Sequence, residues 1–133
     1  MKKDHGLKDF FSYPIRFADF MNALFFDGHV IIHPCDLHPL DSREIFIGDF
    51  LSKERTHDVI MMWERKDFQA ILILEAQSSV DFTMASRTLL YDALVYNMQD
   101  KRFKNHMLMP VMSVVLFHGE GKWNAVTSLL ERV

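Results

Sequence analysis

The sequence predicts an α/β domain in which helices flank a mixed central sheet. Two β-rich segments, 56–63 and 68–76, are separated by the charged residues 64–67 and predict an antiparallel hairpin. A segment with helical spacing follows them, and then a near-continuous apolar segment, 108–119. Because a strand, a helix and another buried strand in succession call for a right-handed crossover, we expect the last strand to lie parallel to its neighbour.

The N-terminal part of the chain is predicted to contain one helix, from about Ile15 to Phe26. Apolar residues recur there at helical spacing, Pro14 stands near the start, and Gly28 is placed to end the helix. Residues 33–43 include two prolines and several turn formers, which predict a loop. The segment 44–48, Glu-Ile-Phe-Ile-Gly, is a candidate short strand.

The C-terminal half is predicted to contain a long helix, a strand and the beginning of another helix. Asp81 or Thr83 is the expected cap of the long helix. The strand within 108–119 is expected to be buried on both faces, because its apolar residues do not alternate with polar ones. Residues 122–133 have the pattern of a helix that begins there and ends with the chain.

Composition limits the class of protein. A chain of 133 residues with 49% apolar and 25% charged residues fits one globular domain, 1–133. The net charge of -3 disfavours strong non-specific binding to nucleic acid. No apolar run approaches the roughly 20 residues that span a bilayer, and the N-terminus lacks the apolar middle of a signal peptide. The single cysteine, Cys35, agrees with a reducing compartment, so we expect a cytoplasmic protein.

A candidate site lies where the second hairpin strand ends, at Glu75 and Gln77. Residues two apart on a strand share a face, and hairpin pairing can bring Asp58 of the preceding strand toward them. A buried carboxylate is costly unless it is paired or binds a metal. Two carboxylates with carbonyl and water oxygens suit Mg²⁺ or Mn²⁺ better than zinc. The alternative is that Asp58 only ends a strand and Glu75 only caps the next turn.

Motifs along most of the chain accompany this pair. They are an Asp on the second core strand, Glu-x-Gln followed by a serine on the third, Met-Ala-x-Arg-x-x-x-Tyr on a helix, a Pro at the head of the final strand, and a His-Gly at its end followed by a Trp. The residues are Asp58, Glu75, Gln77, Ser78, Met84, Ala85, Arg87, Tyr91, Pro110, His118, Gly119 and Trp123. This combination resembles the recombination-promoting nuclease / putative transposase family, a branch of the PD-(D/E)XK nuclease superfamily.

The resemblance implies a restriction-endonuclease-like core and a metal-dependent DNA endonuclease associated with mobile elements or recombination. Its partner would be DNA and its cofactor Mg²⁺ or Mn²⁺. Asp58 and Glu75 would be the metal-binding carboxylates, with Asp19 on the first helix as the accessory acid. The family usually continues well beyond this chain's end, so the resemblance also implies an incomplete C-terminal region.

The resemblance also implies roles for the remaining polar residues. Gln77 stands where the superfamily most often has lysine, and it offers dipoles rather than a full positive charge. Arg87 is placed to hold a phosphate, with Tyr91 and Ser78 beside it in substrate binding. Packing of the helix on the sheet is an equally open role for Arg87 and Tyr91.

Two other functions stay open at this point. One is an inactive relic that keeps the fold and binds DNA or a transposition partner. The other is a dimerising module, which would form a homodimer.

Overall fold

The computed structural model describes residues 2–41, 58–102 and 107–133 of the chain. This part contains three α-helices, four strands and two short 3₁₀-helices. In chain order they are α1 (Lys2–Phe11), α2 (Pro14–Phe25), a 3₁₀-helix (Pro34–Asp36), β1 (Leu37–Leu40), β2 (Val59–Arg65), β3 (Phe68–Gln77), α3 (Met84–Arg102), β4 (Val111–Phe117) and a second 3₁₀-helix (Leu129–Arg132). The candidate strand 44–48 lies outside the described residues.

The four strands form one mixed sheet in the order β1-β2-β3-β4. β1 and β3 each run antiparallel to β2, whereas β4 runs parallel to β3. This topology confirms both the predicted hairpin and the parallel crossover through α3. The predicted fold class, a mixed central sheet flanked by helices, is therefore confirmed and is consistent with a restriction-endonuclease-like fold.

The sheet is covered on both faces. On one face, Phe17 and Met21 of α2 pack with Met61, Leu72 and Leu74. On the other face, apolar side chains of α3 pack with alternate residues of the same two strands. These contacting residues are Val95 and Met98 with Ile60, Ile71 and Ile73. Burial on both faces explains why β2 and β3 have nearly continuous apolar sequences.

Two N-terminal elements differ from the prediction. The sequence of α1 is rich in charged residues and has few apolar ones, and Phe11 of this helix joins the buried core. β1 forms inside the predicted loop because Leu37 pairs with Trp63 and Leu40 with Ile60. Pro39 is compatible with this strand since an edge strand leaves some N–H positions unused. The predicted helix at 15–26 is confirmed as α2.

Two C-terminal elements also differ. β4 is only half-buried, with Met112 exposed, because it pairs with β3 alone among the described strands. Residues 122–133 do not begin an α-helix. Instead Trp123 packs edge-on against Phe117, with ring centroids 5.4 Å apart, and Ser128 begins a single 3₁₀ turn by accepting a hydrogen bond from Leu130 N.

Candidate functional site

The end of β3 carries an acid and an amide that contact each other. Glu75 follows Ile71 and Ile73 at intervals of two residues, so its side chain is on the sheet face that α3 covers. It is 5% exposed. The Gln77 side-chain nitrogen donates a hydrogen bond to Glu75 Oε1 over 2.7 Å. The two residues therefore form one polar pair at the rim of an apolar face.

Asp58 lies at the same end of the hairpin. Val59, the first residue of β2, pairs with Leu74, and continuing that register by one residue sets Asp58 opposite Glu75. Residues directly opposite each other in an antiparallel pair have side chains on one face. Asp58 is also 5% exposed. The hairpin thus buries two carboxylates at neighbouring positions of its open end.

The donor set suits a hard cation. Carboxylate oxygens, completed by main-chain carbonyls and water, are the ligands that Mg²⁺ and Mn²⁺ prefer. Within the described ranges, no group of three His, Cys, Asp or Glu residues is placed to hold a metal ion. Metal binding by Asp58 and Glu75 stays a prediction.

A cleft borders Asp58, which is itself buried. The cleft has a volume of about 360 Å³ and is lined by parts of α1, β1 and β2 and by residues next to them, among them Lys8, Ser12, Asp41 and Asp58. The acid at the hairpin end is therefore buried against protein on one side and borders an opening on the other.

Arg87 reaches Glu75 from the first turn of α3. Its Nη2 atom lies 3.6 Å from Glu75 Oε1, and its Nη1 atom contacts the Asp81 carboxylate. Nη2 also donates a hydrogen bond to the Tyr91 hydroxyl over 3.4 Å, and the guanidinium lies 5.5 Å from the Tyr91 ring centroid. Because residues i and i+4 share a helix face, Arg87 and Tyr91 approach the sheet together.

Both members of the Arg87–Asp81 ion pair are charged at neutral pH. Burial opposes the charge of Arg87, but contacts with Tyr91, Asp81 and Glu75 raise its pKa above the ordinary value. Burial also opposes the charge of Asp81. Hydrogen bonds from the Thr83 side chain and main chain, together with Arg87, nevertheless hold the pKa of Asp81 below its ordinary value of 3.8.

The end of β4 is held tightly against Gln77 and Ser78. His118 N donates a hydrogen bond to the Gln77 carbonyl over 2.9 Å. A methyl group built on Gly119 would overlap the Ser78 carbonyl oxygen, so the two main chains approach as closely as they do only because residue 119 is glycine. The His-Gly motif therefore fixes the main chain beside the polar pair, while a substrate-binding role for Ser78 stays a prediction.

Asp19 is not brought to this pair by the described contacts. It is exposed on α2, whose buried residues Phe17, Ala18 and Met21 pack on the face of the sheet opposite to α3. Its role as an accessory acid stays a prediction.

Asp81 was assigned from the sequence only as a helix cap. Its Oδ1 atom accepts hydrogen bonds from Thr83 N and Thr83 Oγ1, which confirms the predicted start of α3, and its Oδ2 atom contacts Arg87. Positions 81 and 87 have no periodic relation that links them, because residue 81 precedes the helix. The sequence signal that could have predicted the contact between Asp81 and Arg87 is an acid at a helix start followed by an arginine on the first turn.

Of the helices in the described part of the chain, none has the length and apolar character needed to cross a bilayer.

Comparison with known proteins gives one finding. The family model for the putative transposase, YhgA-like, matches residues 1–133. Neither the curated proteins nor the solved structures yield a match. Since the match extends over the whole chain that contains Asp58, the Glu-x-Gln pair and Arg87, the chain belongs to the YhgA-like putative transposase family.

Proposed function

We propose that this chain is a metal-dependent DNA endonuclease that acts for a mobile element. Family membership associates it with mobile elements and makes DNA the expected partner. The observation that carries the nuclease proposal is the burial of Asp58 and Glu75 at matching positions of one hairpin end, with the Arg87 cation 3.6 Å from Glu75.

Asp58 and Glu75 would hold one Mg²⁺ or Mn²⁺ ion. Such an ion polarises a phosphoryl oxygen and lowers the pKa of a bound water, which are the two requirements of phosphodiester hydrolysis. The open end of the hairpin supplies one acid near the end of β3 and one just before β2, so the main chain places both ligands before substrate arrives. Preorganised ligands of this kind avoid reorganisation during the reaction.

Arg87 and Gln77 together would take the role that a lysine has in most members of the resembled superfamily. Gln77 donates its hydrogen bond to Glu75 and holds that acid in one orientation. Arg87 stays protonated at all working pH values and supplies a full positive charge beside the same acid. Its planar group can hold a phosphate oxygen with two N–H donors.

Supercoiled plasmid nicking in Mg²⁺ or Mn²⁺ tests the proposal. We expect the wild-type protein to nick, and the Glu75→Gln and Asp58→Asn variants to lose at least about a hundredfold in rate, since each loses one metal ligand. Glu64→Gln is the matched control because Glu64 is an exposed acid at the opposite end of the same hairpin. The proposal is wrong if wild type fails to nick, or if Glu75→Gln nicks as fast as Glu64→Gln.

The second candidate is an inactive relative that binds DNA or a transposition partner. The observation in its favour is that Glu75 already contacts Gln77 and Arg87, so its charge is compensated within the protein. The net charge of -3 agrees with it. Specific DNA binding without nicking by wild type or variants, measured by gel shift in the same buffers, would favour this function. Homodimer formation and a cytoplasmic location stay predictions, and size exclusion tests the first.

A further inference from the structure

Arg87 is shared between two acids that belong to different parts of the fold. Glu75 is on β3 and is buried, whereas Asp81 lies just before α3 and is about a quarter exposed. The two acids contact different nitrogen atoms of the guanidinium, and Asp81 makes the closer contact. Arg87 therefore neutralises part of the charge of Glu75 from a position that Asp81 defines.

Asp81 is itself fixed in place. Its Oδ1 atom accepts from Thr83 N over 2.8 Å and from Thr83 Oγ1 over 2.6 Å, and its carbonyl accepts from Met84 N over 3.2 Å. These bonds leave Oδ2 for Arg87. On the other side of the guanidinium stands Tyr91, which is 2% exposed and belongs to the same helix as Arg87. The guanidinium is therefore held by residues of α3 and of the segment just before it. Its contact with Glu75 is longer than its contact with Asp81.

We propose that Asp81 is a positioning residue that holds Arg87 back from Glu75, and that Arg87 is the cation with which a divalent ion competes for this acid. The inference rests on the proposed function in that it takes Glu75 to be a metal ligand. A guanidinium and a metal ion near one carboxylate oxygen repel each other, and a pair of charges a few ångströms apart inside a protein interacts strongly. The hold of Asp81 on Arg87 weakens that competition.

Removing the charge of Arg87 and removing the charge of Asp81 should have opposite effects on the affinity for Mn²⁺. In Arg87→Gln the competing cation is absent, so Mn²⁺ binds more tightly. In Asp81→Asn the side-chain oxygen of asparagine can still accept the hydrogen bonds from Thr83, but Arg87 is released to Glu75 and Mn²⁺ binds more weakly. In the double variant the loss of Asp81 has no further effect, since the residue through which it acts is missing. A structural role for Asp81 would not give this pattern.

Calorimetric titration of the full chain with Mn²⁺ tests the inference. We expect affinity to rise roughly three- to tenfold in Arg87→Gln and to fall by a similar factor in Asp81→Asn. The double variant should match Arg87→Gln, and Arg87→Lys should return toward the wild-type affinity. Glu75→Gln is the control that must abolish binding, and circular dichroism checks that each variant is folded.

The outcomes separate this inference from the proposed function. If wild type binds Mn²⁺ through Glu75 but Arg87→Gln binds no more tightly, the competition is refuted and the metal site stands. If Asp81→Asn weakens binding equally with and without Arg87, Asp81 acts by another route and its positioning role is refuted. If no variant and no wild-type sample binds Mn²⁺, both proposals are overturned.

Discussion

Two groups of buried polar side chains in this protein bond to different kinds of partner. The amides of Asn22 and Gln99, which we call the structural amides, bond to main-chain atoms. Asn22 donates to the Ile32 carbonyl over 2.9 Å and accepts from Ile32 N over 2.8 Å. Gln99 donates to the Met109 carbonyl over 3.0 Å and accepts from Met109 N over 2.7 Å. Glu75, in contrast, contacts the side chains of Gln77 and Arg87.

We expect this difference to separate structural polar residues from those available for chemistry. Each structural amide forms hydrogen bonds with the N–H and the carbonyl of one residue in the segment that follows its own helix. Removing the amide therefore leaves these two main-chain groups without those hydrogen bonds. The contacts of Glu75 with Gln77 and Arg87 are between side chains, and such contacts can change without moving the backbone. Burial alone does not mark a functional site. The type of partner that a buried polar group bonds to is the more useful criterion.

The largest expected effect comes from replacing a structural amide. Gln99→Leu removes a buried amide and leaves the N–H and carbonyl of the half-buried Met109 without these hydrogen bonds, and we expect a loss of about 2–4 kcal/mol in the free energy of unfolding. Urea denaturation measures it. Gln69→Leu is the matched control, since Gln69 is exposed and bonds only to exposed Glu64, and it should change stability by less than about 0.5 kcal/mol. Equal losses in both variants would contradict the comparison.

A smaller effect is expected where the main chain supports the polar pair. Gly119→Ala introduces a methyl group against the Ser78 carbonyl, so the ends of β3 and β4 must separate, at about 1–3 kcal/mol. Thermal unfolding measures the loss. The control is Gly6→Ala in α1, where no atom lies within 4 Å of the added methyl group. There alanine should stabilise the helix by up to about 1 kcal/mol. An unchanged melting temperature in Gly119→Ala would show that the strand ends separate freely.

Glu75→Gln should have the opposite profile to Gln99→Leu. The variant keeps an oxygen that accepts from Gln77, and Arg87 keeps Asp81 as its partner, so we expect a change in stability of about 1 kcal/mol or less. Nicking should nevertheless be lost. The two measurements, urea denaturation and plasmid nicking, are made on the same preparation. A stability loss as large as that of Gln99→Leu would place Glu75 among the structural residues.

The smallest expected effect is a pH-dependent one at Asp81. Its pKa is lowered in the folded protein, so its contribution to stability is present above the ordinary value of 3.8 and is lost as the pH falls through the lowered pKa. At pH 7 we expect wild type to exceed Asp81→Asn by less than about 1 kcal/mol. Urea midpoints measured from pH 7 to pH 3 should show this gap closing at the acid end. A gap that stays constant with pH would mean that the charge of Asp81 is not involved.

The elements that were predicted correctly have strong local signals. The apolar spacing of α2, the turn between β2 and β3, and the cap of α3 all lie within a few neighbouring residues. β1 and α1 were missed for a common reason. Leu37–Leu40 is a strand because β2 pairs with it. The helix α1 depends on a few apolar contacts, and its charged sequence does not predict them.

The candidate site also combines features that local sequence predicts with features that depend on the packing of separate elements. Glu75 and Gln77 are neighbours in sequence, and the alternation of a strand was enough to predict that they share a face. The contact of Arg87 with Glu75 spans twelve residues and depends on how α3 crosses the sheet. The link from Asp81 to Arg87, and the close approach of Gly119 to Ser78, likewise follow from the packing of separate elements.

By itself, the sequence determined the helix α2, the hairpin of β2 and β3, the helix α3 with its parallel crossover, and the presence of an acid and an amide at the end of a buried strand, because these follow from periodicity and from covalent spacing. The tertiary structure alone decided which cation faces Glu75, which acid holds that cation, and which buried amides belong to the main chain. Those contacts join residues whose distance in space has no fixed relation to their distance along the chain.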